Sequence, residues 1–335
     1  MQSAEELVSS ILEGSRLALA RTLSLVENDD PIGHAALNLL FPHTGRAHLI
    51  GVTGAPGTGK SSIVNQLARQ FRKPADGSPP HRVAIVAVDP SSPFSGGAFL
   101  GDRIRMRDLA GDPNVFIRSM ASRGSLGGLA AGTSGIVQVF DAAGYDVIMI
   151  ETVGAGQAEV DIARLAHTTL VIEAPGLGDD IQANKAGILE IADLLVVNKA
   201  DHPGVENTER VLRANLELAA NGRAAAANGQ AAAANGQADW LTPILRTVAT
   251  EGTGILELMQ EIEHHRQYLL QSGEWQRRDR ERLHTELENL LRETLIARWR
   301  ATLPAANYQK VLSNLVRRRI AHYQAVEKLV HGGEV

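Results

Sequence analysis

The 335-residue sequence contains no cysteine. That excludes a disulfide framework and any thiolate-bound metal centre. Aromatic residues are scarce, with 3 Trp, 4 Tyr and 6 Phe making up 4% of the chain. So few rings argue against a stacking platform for single-stranded nucleic acid. Positive charge is not in excess either: Lys+Arg 33 against Asp+Glu 38 leaves a formal net charge of −5. A balance of that sign argues against a surface built globally around a phosphate backbone. No apolar run approaches the roughly 18 residues of a membrane helix. The opening MQSAEELVSS carries early acids and no basic stretch, so neither a secretory signal nor an acid-poor transit peptide is expected. The expected setting is the cytoplasm.

What is present is ordinary for a globular protein: 44% hydrophobic and 21% charged residues. At roughly 150 residues per domain, the length allows one large domain or two modest ones. Residues 3–40 carry apolar positions at helical spacing (Leu7, Ile11, Leu12, Leu17, Leu19, Leu23, Val26), and Pro31 starts a second short helix that ends before Pro42. The texture then changes. Short apolar, β-branched runs alternate with helical segments: 48–53, 83–89, 115–119, 146–151, 170–173, 194–198 and 244–248. Near-continuous apolar strands between helices predict a mainly parallel sheet covered on both faces, an α/β fold. After Gly254 the strands stop, and 255–330 reads as long charged helices. The expected organisation is an N-terminal helical extension (1–43), a central α/β domain (44–255) and a C-terminal helical arm (256–335). Within the central domain, 221–238 repeats Asn-Gly and alanine tracts with a seven-residue period. Asn-Gly favours turns, so this stretch reads as a solvated insertion.

The strand at 48–53 runs directly into Gly54-Ala55-Pro56-Gly57-Thr58-Gly59-Lys60-Ser61-Ser62, which is G-x-x-x-x-G-K-S between a strand and a helix. Glycines there let main-chain amides approach phosphate oxygens, and the helix that follows presents its positive end to the same anion. Lys60 supplies charge for β- and γ-phosphates, and Ser61 a neutral oxygen for Mg²⁺. The strand at 194–197 ends in Asn198-Lys199-Ala200-Asp201. A carboxylate at Asp201 can accept from both N1–H and the 2-amino group of guanine, whereas adenine presents an acceptor at N1. Lys199 can lay its stem across the base, and Asn198 can brace neighbouring loops. A later loop, Val248-Ala249-Thr250, follows another strand and can touch the base with backbone amides. Strand ends also carry Asp89 and Glu151, and a following loop carries Asp102; with Ser61 these are the candidate metal ligands. Lys60, Asp102 and Glu151 are the candidate catalytic residues. Gly154 can sense the γ-phosphate through its amide. Gln157 lies two residues past the place of a water-orienting glutamine and is given no role. Arg103, Arg105, Arg118 and Arg123 are alternative transition-state cations, with ion pairing or a partner-facing role as the plainer reading.

Together these segments resemble one family, the MeaB, MMAA and ArgK proteins. These are GTPase chaperones of adenosylcobalamin-dependent acyl-CoA mutases, within the SIMIBI class of P-loop GTPases. The stretches that carry the resemblance are GVTGAPGTGKSS, VAVDPSSPFSGGAFLGDRIRM, ETVGAGQAEVDIA, PGLGDDIQANKAGILEIAD and VVNKAD, most of 48–201. The resemblance implies a third switch loop at Gly178, Asp179, Asp180, Gln182 and Lys185 that couples nucleotide state to the mutase. It also implies GTP and GDP with Mg²⁺ as ligands, a bacterial cytoplasmic homodimer joined through the C-terminal arm, and slow intrinsic hydrolysis raised by the partner. The family usually has Ser-Ala-Leu or similar where this chain has Val248-Ala249-Thr250, which leaves only backbone contacts to expect there. Two other readings share features of the sequence: a nickel-inserting maturation GTPase, disfavoured by the missing cysteine, and a transport-linked ATPase or kinase, disfavoured by Asp201. The arginine-rich 274–320 reads as a solvated, ion-paired helix face. His264-His265 reads as helix surface, since adjacent residues on a helix point to different sides.

Overall fold

The computed structural model describes residues 2–74, 77–90, 109, 111–122, 130–152, 158–176, 189–226 and 240–331. Three helices come first: α1 (Ala4–Leu12), α2 (Arg16–Glu27) and α3 (Pro31–Leu40). The sequence pattern suggests one helix up to Pro31, but the chain breaks after Leu12 because Ser15 caps a new one. Its hydroxyl accepts from the Ala18 amide at 3.3 Å. Ser3 and Glu6 form a reciprocal capping box on α1, and Asp30 caps α3 ahead of Pro31.

Among the described residues seven strands then build one sheet: β1 (His48–Thr53), β2 (Val83–Pro90), β3 (Val115–Ser122), β4 (Val147–Thr152), β5 (Thr168–Glu173), β6 (Leu194–Asn198) and β7 (Ile244–Thr247). Every neighbouring pair is parallel, in the order β3-β2-β4-β1-β5-β6-β7. β1, β4, β5 and β6 are buried along their whole length, as strands covered on both faces must be. Among the described residues the helices between strands are α4 (Lys60–Arg72), α5 (Ala130–Ala142), α6 (Ala158–Leu165) and α7 (Val205–Ala226), followed by α8 (Ile255–Ser272). On one face Leu7, Ile11, Leu23 and Leu40 of α1–α3 pack with Ile136 and Phe140 of α5 over Ile148 and Ile150 of β4. On the other, Ile63, Val64 and Leu67 of α4 meet Ile255, Leu258 and Ile262 of α8 over Ile50, Val52, Leu170 and Val196. Each such side chain contributes about 1.5–3 kcal/mol by leaving water.

α7 departs from the sequence reading. It runs through Asn221-Gly222 to Ala226, the first residues of the repeat expected to turn. A helix already nucleated at Val205 propagates easily into alanine, at a cost of about 1 kcal/mol for one glycine. The remainder of 221–238 lies outside the described residues.

His265 also departs from it. It is fully buried, not on the surface. Its Nδ1 lies 2.9 Å from the Thr168 hydroxyl, which also meets His48 Nε2 at 2.8 Å, and its Nε2 lies 3.3 Å from Asp193. Its neighbour His264 does face solvent, beside Glu261, as helical spacing requires of one of the two. The other histidine is drawn inward by a polar cluster at the N-terminal edge of the sheet, which helical spacing cannot show. Arg278 completes the cluster. It grips both Asp193 oxygens at 2.8 Å and donates to the His167 carbonyl at 2.7 Å, so this arginine is not part of a solvated face. Trp275 stacks on His167 with ring centroids 3.8 Å apart, and Asp279 meets the same histidine at 3.1 Å. Burial alone raises the Asp193 pKa, but the hydrogen bonds from Arg278 and His265 outweigh it and bring the group to about 2. Burial holds His48 well below its ordinary value and His167 below it as well.

The chain divides into two compact units, Met1–His284 and Thr285–Val335. The boundary falls within α9 (Glu274–Thr302). In the second unit α10 (Ala305–Val316) packs against α11 (His322–His331), and the Trp299 indole donates to the Leu329 carbonyl at 3.1 Å. Among the described residues no helix is long and apolar enough to cross a membrane.

Candidate functional site

Parallel strands all release their loops at one edge of the sheet, and in open α/β folds that edge is where ligands bind. β1 ends there in the 54–59 loop, and α4 begins at Lys60. The loop is held to its shape by close contacts. A side chain on Gly54 would overlap the Ile172 carbonyl of β5. Gly59 has φ +94°, and a side chain on it would overlap the Asn198 amide. The Thr58 hydroxyl folds back to the Ala55 carbonyl at 2.9 Å. Lys60 is buried and donates to the Gly54 and Ala55 carbonyls at 2.8 and 3.0 Å, which holds its ammonium inside the loop. Ser62 faces outward.

Ser61 and Glu151 come together as the sequence suggested. The Ser61 hydroxyl donates to a Glu151 carboxylate oxygen at 2.6 Å, and both residues are buried. β4 lies beside β1, with Val52 in register with Glu151, which carries the carboxylate to the start of α4. With its proton committed to Glu151, the serine oxygen keeps lone pairs for a cation. Two hard oxygen donors side by side fit Mg²⁺, which prefers oxygen throughout. Thr152 and Thr53 link the same two strand ends by their hydroxyls at 3.2 Å.

Asn198 ties the phosphate loop to the later loop. Its amide donates to the Thr58 carbonyl at 2.7 Å, and its oxygen accepts from the Thr247 hydroxyl and the Ala249 amide, each at 3.1 Å. Lys199 follows in a left-handed conformation, φ +57°, sparsely populated by residues with a side chain. The strained turn is closed by the Ala200 amide on the Thr247 carbonyl and the His202 amide on the Lys199 carbonyl. Asp201 emerges half-exposed, 3.7 Å from His202. Of the three expected backbone donors, the Val248 amide bonds the Thr253 carbonyl and the Ala249 amide bonds Asn198. Among the described residues the Thr250 amide has no such acceptor, and Thr250 is exposed.

The structure thus gathers Gly54–Ser61, Glu151 and Asn198–Asp201, with the 248–250 loop, along one edge. Arg118 is spent elsewhere, ion-paired with Glu27 and bonded to Ser24. The Asp89 side chain lies outside the described residues. So do Asp102, Gly154, Gln157, Arg103, Arg105, Arg123 and the expected switch residues Gly178, Asp179, Asp180, Gln182 and Lys185.

A family model, that of the methylmalonyl-CoA mutase-associated GTPase MeaB, matches residues 19–303. The chain belongs to the MeaB family of GTPases. A Pyrococcus abyssi protein named as a GTPase is 39% identical over 326 residues, covering 97% of this chain and 95% of the relative. The Caenorhabditis elegans methylmalonic aciduria type A homolog, a mitochondrial protein, is 36% identical over 211 residues, covering 59% of this chain and 52% of its own. The crystal structure of a LAO/AO transport system kinase superposes with a TM-score of 0.67 at 24% identity, covering 98% of this chain and 96% of that one, and shows the same fold.

Sequence reading alone missed one residue of this MeaB-family site, Gln66. It lies on α4 among buried Ile63, Val64 and Leu67, and its amide donates to the Ala249 carbonyl at 2.8 Å. A polar residue bordering the apolar stripe of α4 was the available signal.

Proposed function

We propose that this MeaB-family GTPase binds GTP and GDP across the C-terminal edge of its sheet and uses slow GTP hydrolysis as a timer. The nucleotide state gates cofactor loading into an adenosylcobalamin-dependent acyl-CoA mutase and protects that enzyme. The observation that carries the reading is Asn198. One buried side chain fastens the phosphate loop to the loop beside Asp201, so the group that reads the nucleobase and the groups that hold the phosphates form a single rigid site.

In this reading the loop amides and Lys60 hold the phosphates, and the ammonium exchanges the Gly54 and Ala55 carbonyls for β- and γ-phosphate oxygens. Ser61 and Glu151 hold Mg²⁺, with Asp89 and Asp102 as the further carboxylates. When bound, the cation neutralises charge on the transferring phosphoryl group. Catalysis rests on positioning and electrostatics while a water attacks the γ-phosphate in line. Asp201 accepts from the guanine edge, the Lys199 stem covers the base, and the Thr250 amide is free to meet O6.

The mutase role draws on the family's description as mutase-associated. The 178–185 segment is the proposed coupling loop, with Gly154 as the γ-phosphate sensor. Residues 44–255 form the nucleotide domain in this reading, after a helical extension at 1–43. The arm expected from 256 joins two copies through its part beyond α8, since α8 itself covers the sheet, and the apolar stripe Leu287, Leu291 and Leu295, each about half-exposed on α9, supports that role.

Single-turnover GTP hydrolysis with and without an adenosylcobalamin-dependent acyl-CoA mutase tests the proposal. Acceleration by the mutase, abolished in Lys60→Ala, is expected. A rate indifferent to every such mutase tried would overturn the chaperone role.

A further inference from the structure

Ala249 is clamped at both ends of its backbone by side chains from different elements. Its N–H is held by Asn198 at the end of β6, and its carbonyl by Gln66 on α4, at 2.8 Å. The second clamp has a geometric consequence. The Ala249 carbonyl and the Thr250 N–H belong to one planar trans peptide unit, in which C=O and N–H point in opposite directions; the chain contains no cis peptide among the described residues. Drawing the carbonyl inward to α4 therefore turns the Thr250 N–H outward, away from α4. Ala249 is buried and Thr250 exposed, as that orientation requires. A donor on the carbonyl oxygen also polarises the amide and makes its N–H a better donor.

We infer that Gln66 is a positioning residue for guanine recognition: it fixes the 249–250 peptide so that the Thr250 N–H donates to O6 of the base. The inference rests on the guanine-nucleotide reading of this edge. Gln66 lies six residues beyond Lys60 on the helix whose first turn carries Ser61, so one helix sets both the phosphate end and the O6 end of the nucleotide. Asp201 reads the hydrogens on N1 and the 2-amino group, and the Gln66-held peptide reads the neighbouring oxygen. Adenine offers an amino group in place of O6, which a fixed N–H rejects.

The test is calorimetry with Mg²⁺ on the wild type, Gln66→Leu and Gln66→Lys, using GDP, IDP and 6-thio-GDP. Leucine keeps the bulk and removes the donor; lysine restores a donor of similar reach. IDP keeps O6 and lacks the 2-amino group, while 6-thio-GDP keeps N1–H and the 2-amino group and puts a weak acceptor at position 6. In Gln66→Leu, GDP and IDP should weaken together by roughly three- to tenfold, the value of one hydrogen bond. 6-thio-GDP should weaken distinctly less, and Gln66→Lys should recover most of the GDP affinity. An equal loss for all three nucleotides would show that Gln66 only packs α4 and would overturn the inference, as would no loss at all. A parallel titration of the wild type with ADP separates the two readings: affinity for ADP equal to that for GDP would sink the guanine reading itself, whatever the variants do.

Discussion

Glu151 does two jobs through one oxygen pair: it orients the Ser61 hydroxyl and brings negative charge to the start of α4. Glu151→Gln preserves shape and the ability to accept a hydrogen bond but removes the charge. The Mg²⁺ concentration needed for half-maximal GTP hydrolysis should rise by roughly tenfold or more, the loss of one charge-assisted contact to the cation. GDP affinity measured without Mg²⁺ should stay within about twofold. A Mg²⁺ titration of hydrolysis in the variant checks this, and an unchanged Mg²⁺ requirement would remove Glu151 from the metal site. Residues of this kind were legible because their chemistry dictates their sequence: only glycine fits at 54 and 59, and Ser61 must follow Lys60. Gln66 was not, because its role depends on a carbonyl in the loop after the edge strand β7, 183 residues further along the chain.

Among the elements, β1 and β6 coincide with their sequence reading residue for residue, since short, mainly apolar runs have few alternatives in a sheet covered on both faces. Boundaries set by side-chain caps or by a neighbouring element were less visible. The break between α1 and α2 hangs on one serine hydroxyl, and the burial of His265 on Asp193 and Arg278, which arrive from distant segments. That cluster makes the fold less stable as the pH is lowered. His48 and His167 are held below the ordinary histidine value of 6.5, so the unfolded chain takes up protons first as pH drops past that value, and unfolding is favoured. Asp193 acts lower on the scale. Its pKa of about 2, against an ordinary 3.8, gives about 2 kcal/mol of stability above pH 3.8 that is lost as pH falls toward 2. Urea unfolding at pH 7.5, 6.0 and 5.0 should show a declining midpoint, flattened in His48→Gln. A midpoint that is constant or rises as pH falls would contradict the buried, neutral histidines.

At the scale of the molecule, the fold separates two kinds of polar chemistry across one sheet. The C-terminal edge carries the phosphate loop, the Ser61–Glu151 pair and the Asn198 brace; the N-terminal edge carries the histidine cluster that seats the start of α9. The parallel topology enforces that separation, because every strand starts at one edge and ends at the other. On the proposed reading the first edge binds guanine nucleotides. Calorimetric titration of GDP, a non-hydrolysable GTP analogue and ATP with Mg²⁺, into the wild type and Asp201→Asn, tests it most directly. Guanine nucleotides should bind the wild type at least a hundredfold more tightly than ATP, and that preference should collapse in Asp201→Asn, where an amide replaces an acceptor-only carboxylate. ATP binding as tight as GTP binding in the wild type, or a preference untouched by the substitution, would contradict it.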